Sequence, residues 1–135
     1  MVALMNTKIK VQLQGVLKKA KSDKEILAVF LFGSQARGNA HKDSDVDICL
    51  ALEPNSFSPI KLSRKKLEYL KICDLDIQIV QQLPIYIQQR ILKDGKVLFC
   101  RNEDRLYELA FKIIREFEDF RHIYRDYLAE VAHVG

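Results

Sequence analysis

A chain of 135 residues, 48% hydrophobic and 30% charged, is large enough to bury roughly two thirds of its unfolded surface in one core and too apolar to stay disordered. No stretch approaches the roughly 18 apolar residues of a membrane-spanning helix, and residues 1–10 carry no signal-like apolar segment. The net charge of +4, from 22 basic and 18 acidic residues, suits a triphosphate, an RNA or an acidic protein partner equally and selects none of them.

Helices and strands are predicted in alternation. Ile9, Leu13, Val16, Leu17 and Ala20 recur at helical spacing and predict a helix over residues 7–20. Ile26-Leu27-Ala28-Val29-Phe30-Leu31-Phe32 is an unbroken apolar run ending at a glycine, the pattern of a buried strand. It feeds Gly33-Ser34-Gln35-Ala36-Arg37-Gly38, which reads as a tight turn opening a short helix. The free amides of such a turn hold an anion, Gly33 lets a phosphate come close, and the Ser34 hydroxyl adds a donor.

Beyond the loop over residues 39–44, Asp45-Val46-Asp47-Ile48-Cys49-Leu50 alternates as a second strand. A spacing of two sets Asp45 and Asp47 on one face, away from Val46, Ile48 and Leu50. Carboxylates that close repel one another unless a cation lies between them. Magnesium fits best, because it prefers hard oxygen ligands and commonly binds one or two carboxylates together with substrate phosphates.

Residues 53–59 read as a loop, followed by a helix over residues 58–72 with Ile60, Leu62, Leu67 and Leu70 for packing. Leu75-Asp76-Ile77-Gln78-Ile79-Val80 is a third strand in which Asp76 and Gln78 oppose Leu75, Ile77 and Ile79. Asp76 is the favoured third carboxylate; Asp74 has the same parity but stands at the strand's entrance, and the choice stays open. Three carboxylates hold two magnesium ions, one activating an attacking hydroxyl and one steadying a triphosphate. Pro84 starts a further helix that ends before Gly95, and residues 97–100 form a short edge strand.

From about residue 103 to 131, Leu106, Ala110, Ile113, Phe117, Phe120, Tyr124, Tyr127 and Val131 recur in steps of four and three. Such a helix is roughly 40 Å long, more than a small sheet is wide. The part up to Ile114 is expected to pack on the domain. Phe117, Phe120, Tyr124 and Tyr127 are left as a surface for another protein or a second copy.

Gly33-Ser34, a gap of ten residues and Asp45-x-Asp47 together resemble the DNA polymerase β-like nucleotidyltransferase superfamily, over about residues 26–99. The short chain looks like its minimal nucleotidyltransferase (MNT) branch. That resemblance implies an α/β (α+β) nucleotidyltransferase fold in a single domain over residues 1–135, a small mixed sheet with helices packed on it and a long C-terminal helix. It implies Gly33, Ser34 and Arg37 as nucleotide-binding residues, and Asp45, Asp47 and Asp76 as catalytic residues that bind two Mg2+ ions, with ATP as substrate.

Members of the branch are often antitoxins paired with HEPN-domain ribonuclease toxins, and some transfer AMP to a tyrosine of the toxin. The function implied here is therefore an antitoxin that adenylylates a HEPN toxin within a hetero-oligomer in the cytoplasm. One alternative is a non-catalytic antitoxin that neutralises by docking. Another is a small-molecule nucleotidyltransferase, which usually needs an added substrate domain.

Other patterns are excluded by their own chemistry. Asp43, Asp45 and Asp47 fit positions one, three and five of a calcium loop, but position six is Ile48 instead of glycine and position twelve is Pro54 instead of glutamate. No Gly-Lys-Ser/Thr follows the glycine, as a Walker A loop demands. Cys49, Cys73 and Cys100 have no Cys-x-x-Cys spacing and read as reduced buried thiols. Lys61, Arg64, Lys65, Lys66 and Lys71 read as a solvated helix face; aromatics are not interleaved there, so no direct nucleic-acid binding is expected. Arg115 with His122-Ile123-Tyr124 resembles the Arg, His-x-Tyr signature of HEPN nucleases, yet it lies on one helix without the rest of a HEPN bundle.

Overall fold

The computed structural model describes residues 7–33, 47–54 and 57–134. Among these residues four strands, β1 (Ile26–Phe32), β2 (Asp47–Leu52), β3 (Asp76–Ile79) and β4 (Lys96–Cys100), form one sheet in the order β3-β2-β1-β4. β1 pairs antiparallel with both β2 and β4, while β2 and β3 run parallel, so the sheet is mixed as the sequence implies. Among the described residues four α-helices accompany it: α1 (Thr7–Ser22), α2 (Pro59–Leu70), α3 (Ile85–Asp94) and α4 (Glu103–Val134).

The apolar run of β1 follows from its central place, because both of its faces are covered. Val29 and Leu31 face a core shared with Ile9, Leu13, Val16 and Ala20 of α1 and with Leu62 and Tyr69 of α2. Ala28 and Phe30 face the other core, with Ile91 of α3 and Leu109 and Ile113 of α4. The register slips between Ile26 and Ala28, and Leu27 and Ala28 both belong to this second core, which strict alternation forbids.

Helix ends follow local chemistry. The Ser58 hydroxyl accepts from Lys61 N–H and Pro59 occupies the first turn of α2, where its missing N–H costs nothing. Asn102 Oδ1 accepts from Arg105 N–H at the start of α4. The Arg101 guanidinium donates to the carbonyls of Ala20, Lys21 and Asp23, closing the C-terminal end of α1.

Two expectations for packing faces are corrected. The buried side of α2 is Leu62, Lys65 and Tyr69, whereas Ile60, Leu67 and Leu70 are exposed. The cause is polar: Lys65 Nζ donates to Asp23 Oδ2 at 3.0 Å and pairs with Glu25 at 2.8 Å, and Tyr69 Oη donates to the same Asp23 oxygen at 3.0 Å. These bonds rotate the helix so that a lysine stem, not a second leucine, lies inside. On α4 the deepest residues are Leu109 and Ile113, and Leu109 stands outside the sequence stripe.

Candidate functional site

One row across the sheet brings Asp47 and Asp76 together and ends next to Gly33. Phe32, the last residue of β1, is the Cα partner of Asp47, the first residue of β2, and Asp47 is in turn the partner of Asp76, the first residue of β3. Gly33 follows Phe32 directly and has φ 91°, a conformation that a side chain resists. Gly33 thus lies beside Asp47 at the end of β1, and Asp76 stands on the strand beyond Asp47.

In-register residues on neighbouring parallel strands lie about 4.8 Å apart along the sheet and share a face. Asp47 is half-buried and Asp76 exposed. Cys49 lies two residues along β2 on the same face, buried, with its thiol pushed up to about 12, first by burial and then by the negative charges of Asp47 and Asp76. Two carboxylate fields therefore converge at this corner. The donors are hard oxygens held side by side, which fits a divalent cation of the magnesium type.

Asp76 has a neighbour that the sequence does not announce. Gln78 Nε2 donates to Asp76 Oδ1 at 3.2 Å, and Lys66 Nζ of α2 donates to Gln78 Oε1 at 3.3 Å. The available signal was the shared parity of Asp76 and Gln78; the reach of Lys66 around the edge strand was not legible. Asp74 sits differently: its backbone N–H bonds to the Gln12 side chain, and it lines a hollow with Thr7, Val11 and Ile72 on the α1 side. Ser34, Arg37 and Asp45 lie outside the described residues. Among the described residues no three His, Cys, Asp or Glu side chains form a metal-binding group, so this corner supplies two carboxylates by itself.

Other features lie apart from this corner. A cavity of about 580 Å³ lined by Phe30, Leu92, Val97, Leu106, Tyr107 and Ile114 opens against β4, the edge opposite β3, and is largely apolar. Cys49, Cys73 and Cys100 are free thiols. The cluster of basic residues on α2 is partly spent inside the fold, Lys61 on Glu25 and Lys65 on Asp23 and Glu25. His122, 74% exposed at its side chain, pairs with Asp126 one turn along α4. No described helix is long and apolar enough to cross a membrane.

The end of α4 leaves the domain. Beyond Ile113 it buries no residue whose exposure is described, and Phe120, Tyr124 and Tyr127 are 41%, 53% and 60% exposed. Tyr86 of α3 stacks on Phe120 at 6.5 Å between centroids and Phe120 on Tyr124 at 6.0 Å, which tethers the stripe at its base.

Comparison with known proteins places these features among relatives. The family model described as "Polymerase beta, Nucleotidyltransferase" matches residues 14–104. Two proteins of Methanocaldococcus jannaschii bearing the name "Putative protein adenylyltransferase" are similar in sequence. One is 34% identical over 105 residues, 76% of this chain and 72% of its own; the other is 32% identical over 82 residues, 57% and 82% of the two chains. In fold, the chain resembles a chain from the crystal structure of a toxin-antitoxin with AMP-PNP, with TM-score 0.64, 20% identity and coverage of 90% and 96%. It also resembles a chain from the complex of a tri-AMPylated Shewanella oneidensis HEPN toxin with an MNT antitoxin, with TM-score 0.63, 15% identity and coverage of 90% and 97%.

Proposed function

Because the chain belongs to the polymerase beta nucleotidyltransferase family, we propose that it is an antitoxin that transfers AMP from ATP to a hydroxyl, by analogy a tyrosine, of a cognate HEPN ribonuclease toxin. The observation that carries this reading is the row that sets Gly33, Asp47 and Asp76 at one corner of the sheet. The names of the M. jannaschii relatives support protein as the acceptor. The AMP-PNP and AMPylated toxin complexes of similar fold support ATP and a HEPN partner.

In this proposal Asp45, Asp47 and Asp76 hold two magnesium ions. When bound, the ions supply charge neutralisation on the triphosphate and lower the pKa of the attacking hydroxyl. The chain's own groups do the rest. Backbone amides of the turn at Gly33, with the Ser34 hydroxyl and the Arg37 side chain, orient the triphosphate. Asp76, on the exposed edge strand, takes the proton of the acceptor hydroxyl. The hydroxyl oxygen forms a bond to the α-phosphorus, the bond from that phosphorus to the bridging oxygen breaks, and pyrophosphate leaves.

The exposed position of Asp76 on the edge strand suits an acceptor brought on another protein. The exposed end of α4 favours a second reading, in which neutralisation comes from docking alone. Mixing the protein with its HEPN partner, magnesium and ATP labelled at the α-phosphate distinguishes them: adenylyl transfer predicts label on the toxin, lost in Asp45→Ala with Asp47→Ala. Neutralisation by that double variant, with no label, would establish docking instead.

A further inference from the structure

Lys66, Gln78 and Asp76 form a chain of hydrogen bonds whose direction is fixed by its ends. An ammonium can only donate and an ionised carboxylate can only accept, so the amide between them must turn its oxygen to Lys66 and its nitrogen to Asp76. Neither a carboxylate nor an amine at position 78 serves both neighbours. Lys66 belongs to α2, which packs on the opposite face of the sheet from Asp76, and it reaches Gln78 only because β3 is an edge strand. The side chain of Gln82, further along, bonds to Ser63 of α2 and holds the same edge to the same helix.

We propose that Gln78 is a positioning residue for Asp76, with Lys66 fixing the sense of its amide, so that the Asp76 carboxylate is preset toward Asp47 before metal and nucleotide bind. The proposal rests on the reading of Asp76 as the third metal-binding carboxylate. Asp76 is exposed and lies on the first residue of a four-residue strand, where backbone alone holds a side chain poorly. The Gln78 amide occupies one oxygen and leaves the other to a cation. Partners that orient metal ligands in this way typically contribute 10- to 100-fold to metal affinity or activity.

The test is the affinity for Mn2+ in the presence of α,β-methylene-ATP, read by electron paramagnetic resonance, beside thermal melting to show that each variant is folded. Gln78→Leu is expected to weaken Mn2+ binding about 10-fold or more. Lys66→Met is expected to weaken it by a smaller factor, and Lys66→Arg, which keeps the donor, to restore it. Charge alone predicts the opposite sign for Lys66→Met, since removing a cation near the site tightens cation binding. Unchanged affinity in Gln78→Leu, or tighter binding in Lys66→Met, overturns the positioning role. Asp76→Asn separates the two levels. If it leaves Mn2+ affinity intact, the reading of Asp76 fails and the inference with it; if it weakens binding while the Gln78 and Lys66 variants do not, only the inference fails.

Discussion

Lys65 Nζ lies 3.0 Å from Asp23 Oδ2, and their side chains retain only 8% and 14% of their exposure. Residues 42 apart in sequence thus share a nearly closed ion pair that joins α2 to the turn between α1 and β1. Removing Lys65 takes the countercharge from a largely buried Asp23 and leaves it neutral donors, Tyr69 Oη and Glu25 N–H, a cost of about 3 kcal/mol. Lys65→Met should therefore lower stability by that order in chemical denaturation, and Asp23→Asn should lower it too. Lys61→Met, on the exposed partner of Glu25, should lie close to wild type.

The same cluster sets a pH window. Hydrogen bonds from Lys61 and then Lys65 lower the Glu25 carboxyl below its ordinary 4.5, so its pairing stabilises the fold above that value and is lost as pH falls through the folded value. Burial pulls Lys65 down, but its bonds to Glu25 and Asp23 outweigh this and hold it above its ordinary 10.5. That contribution is present below 10.5 and is lost as pH rises beyond it. Burial, then the Asp23 charge, also raises Tyr69, which has the same alkaline sign. Tm measured across pH should fall on both flanks in the wild type, and the alkaline fall should shrink in Lys65→Met.

Gly33 carries the turn beside Asp47 at φ 91°. A Cβ in the left-handed region costs about 1–2 kcal/mol, so Gly33→Ala should destabilise the protein by that amount. It should also reduce nucleotide transfer, whereas Gly15→Ala, in α1 with open space around it, should not. Thermal melting and transfer of label from ATP check the pair.

α4 divides into a packed half and a free half. Ile113→Ala, inside the core, should cost about 2–5 kcal/mol. Tyr124→Ala and Tyr127→Ala should each change stability by no more than about 0.5 kcal/mol. If the stripe docks the toxin, the same two changes should weaken complex formation by about 2 kcal/mol or more, measured by calorimetry.

Much of the fold is legible in the sequence because local and tertiary signals agree. Pro84 and Gly95 bracket α3, the seven apolar residues of β1 announce a strand covered on both faces, and the four-three stripe gives the length of α4. The buried side of α2 was not legible, since Lys65 goes inward for Asp23 and Glu25 across a long stretch of sequence, and periodicity counts only apolar residues. Leu109 escaped because the four-three stripe takes Ala110 at that turn, although Leu109 lies four residues before the buried Ile113 on the same face. At the candidate site the alternation of Asp47 and Asp76 was readable, but the register that sets them side by side, and the orientation that turns Asp74 toward Gln12, depend on strand pairing. The positions of Ser34, Arg37 and Asp45 lie outside the described residues, and their roles remain with the motif and the family.

The central claim is that AMP is transferred at the corner where Asp47 and Asp76 are in register. Its most direct test is the rate at which label passes from the α-phosphate of ATP to the proposed HEPN partner, compared among wild type, Asp76→Asn and Asp74→Asn. The account predicts a loss of about 100-fold or more in Asp76→Asn, the order expected when one preorganised group is removed from a transfer site, with Asp74→Asn near the wild-type rate. Full activity in Asp76→Asn, or loss confined to Asp74→Asn, would contradict it.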